Sequence, residues 1–215
     1  MTRQQDISRT IAGYLLDIEA VKLNVAEPFT WASGMKSPIY CDNRQILSYP
    51  KIRQQVAQHM SQLVREHFVG AEVIAGVATG AIAIGVLVAQ ELGLPFIYVR
   101  STAKEHGLGN QVEGRVEAGK KTVVVEDLVS TGKSSLAAVE ALRQAGLQVA
   151  GMAAIFTYQL PAAAKVMDDH QCPLFTLSNY TSLVELALEN GTISESDMGV
   201  LKKWREDPRQ WAARL

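Results

Sequence analysis

The chain has 215 residues, 47% of them hydrophobic, with 21 Lys and Arg against 22 Asp and Glu. That length supports one domain with a full core, and a formal charge of -1 gives no general attraction to nucleic acid or an anionic membrane. An anionic ligand must therefore be held by local positive groups.

Near the N-terminus, MTRQQDISRT holds no apolar run, so no signal peptide is expected. Ile7, Ile11, Leu15 and Ile18 recur at helical spacing and predict an amphipathic helix. FTWASGMKSPIYCDNR, punctuated by Gly34 and Pro38, reads as short strands or a hairpin. Pro50 then opens a helix with Ile52, Val56, Met60, Leu63 and Val64 on one face. The uncharged run from Val73 to Ala89 falls short of the roughly 20 residues of a membrane span, and Thr79-Gly80 interrupts it. It reads as a buried strand, a turn and a buried helix stopped at Gly93.

PFIYVR is a second strand and TVVVED a third. KSSLAAVEALRQAG is a helix stopped at Gly146. GMAAIFTY is a fourth strand, PAAAKVMDDH a helix and LFTLSNY a fifth strand. The tail predicts two short helices packing Trp204 and Trp211. Apolar strands alternating with helices imply an α/β fold, with a mostly parallel five-stranded sheet flanked by helices. Cys41 and Cys172 lie far apart in no metal-like spacing, which fits reduced thiols in the cytosol. His59, His67 and His170 fall on helices or helix ends and read as surface histidines.

TVVVEDLVSTGKSS carries the most chemistry. A buried strand ends in Glu126 and Asp127, a Ser/Thr/Gly loop follows, and a helix begins near Lys133. Backbone N–H groups of Ser130 to Ser134 and the helix N-terminus make an anion cradle. Hydroxyls of Ser130, Thr131 and Ser134 add donors, and Gly132 allows close backbone approach. A Walker loop needs glycine where Asp127 stands. A carboxylate pair repels a triphosphate and suits a neutral diol, so the ligand implied is a ribose 5-phosphate.

VVVEDLVSTGKSS resembles the phosphoribosyl pyrophosphate (PRPP) signature of type I phosphoribosyltransferases. Together with FTWASGMKSPIYCDNR, YVRSTAKEHGLGN and FTLSNY, it is similar to the bacterial orotate phosphoribosyltransferases over most of the chain. The resemblance implies a type I phosphoribosyltransferase fold, with residues 1–215 as one domain. A small hood would be built mainly from about residues 1–45 plus C-terminal elements. It also implies a cytoplasmic homodimer that makes orotidine 5'-monophosphate from orotate and PRPP in pyrimidine (UMP) biosynthesis. Mg²⁺ would be held mainly by PRPP and water, with no direct protein ligand.

The same resemblance places PRPP on Glu126, Asp127, Leu128, Val129, Ser130, Thr131, Gly132, Lys133 and Ser134. Arg100, Lys104 and His106 fit the family's catalytic loop, a lid shared across subunits, so Lys104, His106 and Asp127 are the expected catalytic residues. Cations that reach the departing pyrophosphate only on closure favour the transition state over the ground state. Gly76–Ala81 occupies the place of the pyrophosphate-facing loop. Ser130 would also face the base. Orotate carries a carboxylate on a flat ring, for which Lys36, Tyr40 and Arg44 in the hood are candidates. The chain departs from the enteric members at Ala32, Gly80 and Ser101, where they carry lysines. A purine phosphoribosyltransferase and a PRPP-sensing regulator are the competing readings. Lys104, His106 and the lack of a basic N-terminal module argue against the regulator.

Overall fold

The computed structural model describes residues 3–31, 34–101 and 111–213. The predicted first helix is α1 (Arg3–Asp17), which buries Ser8, Ile11, Ala12 and Leu15. The aromatic, Gly/Pro-punctuated segment forms two small antiparallel pairs. They are β1 (Val21–Leu23) with β4 (Ile39–Cys41), and β2 (Phe29–Thr30) with β3 (Lys36–Ser37). A 3-10 turn, Asn43–Ser48, starts where the Asp42 side chain accepts from the Arg44 N–H. It leads into α2 (Pro50–His67), which has proline in its first turn.

A βα alternation follows: β5 (Val73–Val77), α3 (Ile82–Leu92), β6 (Phe96–Val99) and β7 (Val112–Glu113). Then come β8 (Lys121–Val129), α4 (Lys133–Gln144), β9 (Gln148–Thr157), α5 (Pro161–Asp169) and β10 (Leu174–Asn179). The chain closes with α6 (Tyr180–Glu189), α7 (Glu195–Glu206) and α8 (Pro208–Ala212). Gly93 ends α3 in the left-handed conformation, φ 68°, that a side chain resists.

The main sheet runs β10-β9-β8-β5-β6-β7 and is parallel except for β7. It has six strands where the apolar pattern predicts five. The additional strand is β7, two residues long and half-buried, inside a polar stretch that offers no period to read. β8 also continues through the acidic pair to Val129, because β9 accompanies it as far as Thr157. α6 follows β10 without a loop. Asn179 serves both elements, as the last residue of β10 and the cap that accepts from the Ser182 N–H.

Alternation along β8 sends Val123 and Val125 to one face of the sheet, with α3, and Val124 to the other, with Val139 and Leu142 of α4. The chain therefore leaves β5 and the neighbouring β8 towards opposite faces. Their C-terminal ends form the topological switch point, where open α/β sheets bind ligands.

Candidate active site

The acidic pair near the end of β8 is unequally buried. Glu126 turns inward, 5% exposed. Its Oε2 accepts from Ser135 Oγ of α4 at 2.9 Å, and its Oε1 accepts from the Asp127 N–H at 3.0 Å. Burial, then the neighbouring Asp127, pushes the Glu126 carboxyl well above its ordinary range. Asp127 is half-buried, with its carboxylate against the loop that follows β5 and still within hydrogen-bonding reach of the Glu126 carboxyl. A Cβ built on Gly80 would lie 2.2 Å from Asp127 Oδ2. Across the crevice, Asn43 Nδ2 donates to the Asp127 carbonyl at 2.6 Å. The Cys41 thiol donates to Asn43 Oδ1 at 3.4 Å, and burial raises that thiol well above its usual pKa.

The loop after β8 reaches α4 through Gly132, which has φ 79° and provides no side-chain cap to the first-turn N–H groups. Those donors are the ones an anion takes at a helix N-terminus. A Cβ on Gly132 would meet Met167 and Ala163 of α5 at 3.3 and 3.5 Å. The positive φ favours glycine here, and a Cβ would need the Met167 tip to give only slightly. Thr131, Lys133 and Ser134 are exposed, while Ser135 is buried. Thr131 and Lys133 share a cleft of about 570 Å³ with Met35, Leu160, Pro208 and Arg209, which brings the N-terminal hairpin and α8 beside the loop.

Arg100 stands at the end of β6, where its N–H donates to Gln111 O at 2.9 Å and its carbonyl accepts from Gln111 Nε2 at 2.8 Å. Its guanidinium lies 3.6 Å from Glu113 of β7. These contacts bring the two ends of the predicted lid together. Lys104 and His106 lie outside the described residues.

A family model for the phosphoribosyl transferase domain matches residues 42–189. Curated orotate phosphoribosyltransferases of Bacteroides fragilis and Enterococcus faecalis are 53% and 52% identical to the chain over 207 and 205 residues. These matches cover 96% and 95% of this chain and 98% of each relative. The chain belongs to the orotate phosphoribosyltransferase family. It is therefore a transferase of pyrimidine biosynthesis. The orotate phosphoribosyltransferase structure from Aeropyrum pernix has a TM-score of 0.73 at 26% identity, over 86% of this chain and 99% of that one. The Mycobacterium tuberculosis enzyme in complex with PRPP shares the fold, with a TM-score of 0.64 at 22% identity over 82% of this chain and 98% of that one.

The base-side candidates of this orotate phosphoribosyltransferase divide. Tyr40 is 39% exposed beside Phe29, with ring centroids 5.8 Å apart. Arg44 Nε donates to Asp42 at 2.6 Å. Asp42, through its hydrogen bond and charge, holds the Arg44 guanidinium above its ordinary range. Lys36 stays within its own hairpin, donating from Nζ to Thr30 Oγ1 at 2.8 Å. Of the positions where enteric members carry lysine, Gly80 abuts Asp127, Ser101 is exposed and Ala32 lies outside the described residues. Asn43 and Ser135 lie within FTWASGMKSPIYCDNR and VVVEDLVSTGKSS, but they carry no charge and gain their roles only through contacts between segments.

Proposed function

We propose that the enzyme binds PRPP with its 5-phosphate on the Ser130–Ser134 loop and its ribose diol at Asp127. The pyrophosphate would face Arg100 and the 78–81 turn. Ring nitrogen N1 of orotate gives up its proton to water and forms a bond to the ribose anomeric carbon while the bond from that carbon to the pyrophosphate oxygen breaks, giving orotidine 5'-monophosphate and pyrophosphate. Positive charge grows on the sugar during this exchange, and the Asp127 carboxylate faces it. Lys104 closes over the departing oxygens, and His106 donates a proton to them. Closure also keeps water from hydrolysing PRPP. Arg44 and Tyr40 supply the cation and the flat surface for orotate, with Lys36 and Ser130 beside them.

Mg²⁺ would be brought in on PRPP oxygens and water beside the Asp127 carboxylate, with no direct protein ligand. The metal would neutralise the pyrophosphate charge. A single domain with the N-terminal hairpins and α8 as its hood, a cytoplasmic location, and a homodimer sharing its lids complete the reading. No described helix is long and apolar enough to cross a membrane.

The observation that carries this account is the Asp127 carboxylate, held at the β5–β8 switch point directly before the phosphate loop. Replacing Asp127 with Asn tests it: PRPP affinity or turnover should fall, and wild-type values would remove the ribose role.

A further inference from the structure

We propose that Asn43 is a positioning residue, one that sets the Asp127 peptide and so links the base side of the site to the ribose side. The proposal rests on the reading that Asp127 meets the ribose. β8 loses its β5 neighbour after Val125, whose partner is Gly76, yet runs on to Val129. In that stretch the Asp127 carbonyl takes the Asn43 amide at 2.6 Å. Asn43 is itself 3% exposed, and its oxygen accepts from Cys41 Sγ, so its orientation is fixed from the β4 side. Asp127 is therefore held through its main chain by Asn43, while its carboxylate fills the space that a side chain at Gly80 would need. Removing the amide leaves a carbonyl without its donor and frees the peptide to rotate, which swings the carboxylate. Asn43 also follows Tyr40 and precedes Arg44 in the same segment, so a shift of one is felt by the other.

PRPP affinity measured by calorimetry with Mg²⁺ present tests this in wild type, Asn43→Ala, Asn43→Asp, Asp127→Asn and the double variant N43A/D127N. N43A should weaken PRPP about ten-fold, as for loss of one buried hydrogen bond, with a smaller rise in KM for orotate. N43D keeps the size but sets a carboxylate oxygen against the carbonyl, so it should weaken PRPP at least as much. It also decides the case if N43A fails to fold. In the D127N background, N43A should add little, because the two residues act through one group. An equal loss from N43A in both backgrounds overturns the proposal, as does wild-type PRPP affinity in N43D. Wild-type PRPP affinity in D127N overturns the ribose reading itself, and the proposal with it.

Discussion

The Asp127 carboxylate occupies the space that a side chain at residue 80 would need, since a Cβ on Gly80 would fall 2.2 Å from Oδ2 and 2.5 Å from Cγ. The lysine that enteric relatives carry at this position cannot be added here while Asp127 stays where it is. Gly80→Ala should therefore displace Asp127 and lower kcat/KM for PRPP by about ten- to a hundred-fold, the usual consequence of misplacing a reacting group by an ångström. Steady-state kinetics with a parallel melting curve would check this. Unchanged kcat/KM would show that Asp127 can move without loss.

Glu126 is buried and pushed above its ordinary value of 4.5. A carboxyl raised on folding contributes stability that is complete below the unfolded value. That contribution is lost as the pH climbs through the raised folded value. Glu126→Gln mimics the protonated form, and the Ser135 hydroxyl can turn to accept from the new amide. The variant should melt at or above wild type at pH 8, with a flatter fall in melting temperature from pH 5 upward. A variant several degrees less stable throughout would show that the charged form is the one the fold prefers.

Lys104→Ala should cut turnover by roughly a hundred-fold or more while PRPP still binds, as expected of a cation that acts chiefly in the transition state. Single-turnover kinetics alongside PRPP calorimetry separates the two effects. A wild-type rate would remove the lid from the mechanism.

Trp204 is fully buried between Trp31, Tyr158 and Tyr180, with ring centroids 5.9, 5.8 and 5.6 Å away. It joins α7 to the end of β9 and to the N-terminal hairpin. Trp204→Ala should cost about 3–5 kcal/mol of folding stability. Denaturant unfolding would measure it, and a loss below about 1 kcal/mol would mean that the cluster repacks.

Much of the site was readable in order along the chain, because its strongest signals are local. The βα run from Val73, the acidic pair and the loop into α4 each follow from adjacent residues. What escaped depends on contacts between distant segments. β7 is two residues of edge pairing in a polar stretch, and its partner β6 decides that it exists at all. The unequal burial of Glu126 and Asp127 depends on Ser135 of α4 and on the loop after β5, which TVVVED alone does not reveal. Asn43 lies 84 positions before the carbonyl it meets, and no local pattern joins the two.

The most direct test is a spectrophotometric assay of orotate with PRPP, with and without Mg²⁺. Orotate absorbance should fall, with one pyrophosphate released per orotate consumed, only when PRPP and the metal are both present. No orotate loss under those conditions, or consumption of adenine or hypoxanthine in its place, would contradict the assigned reaction.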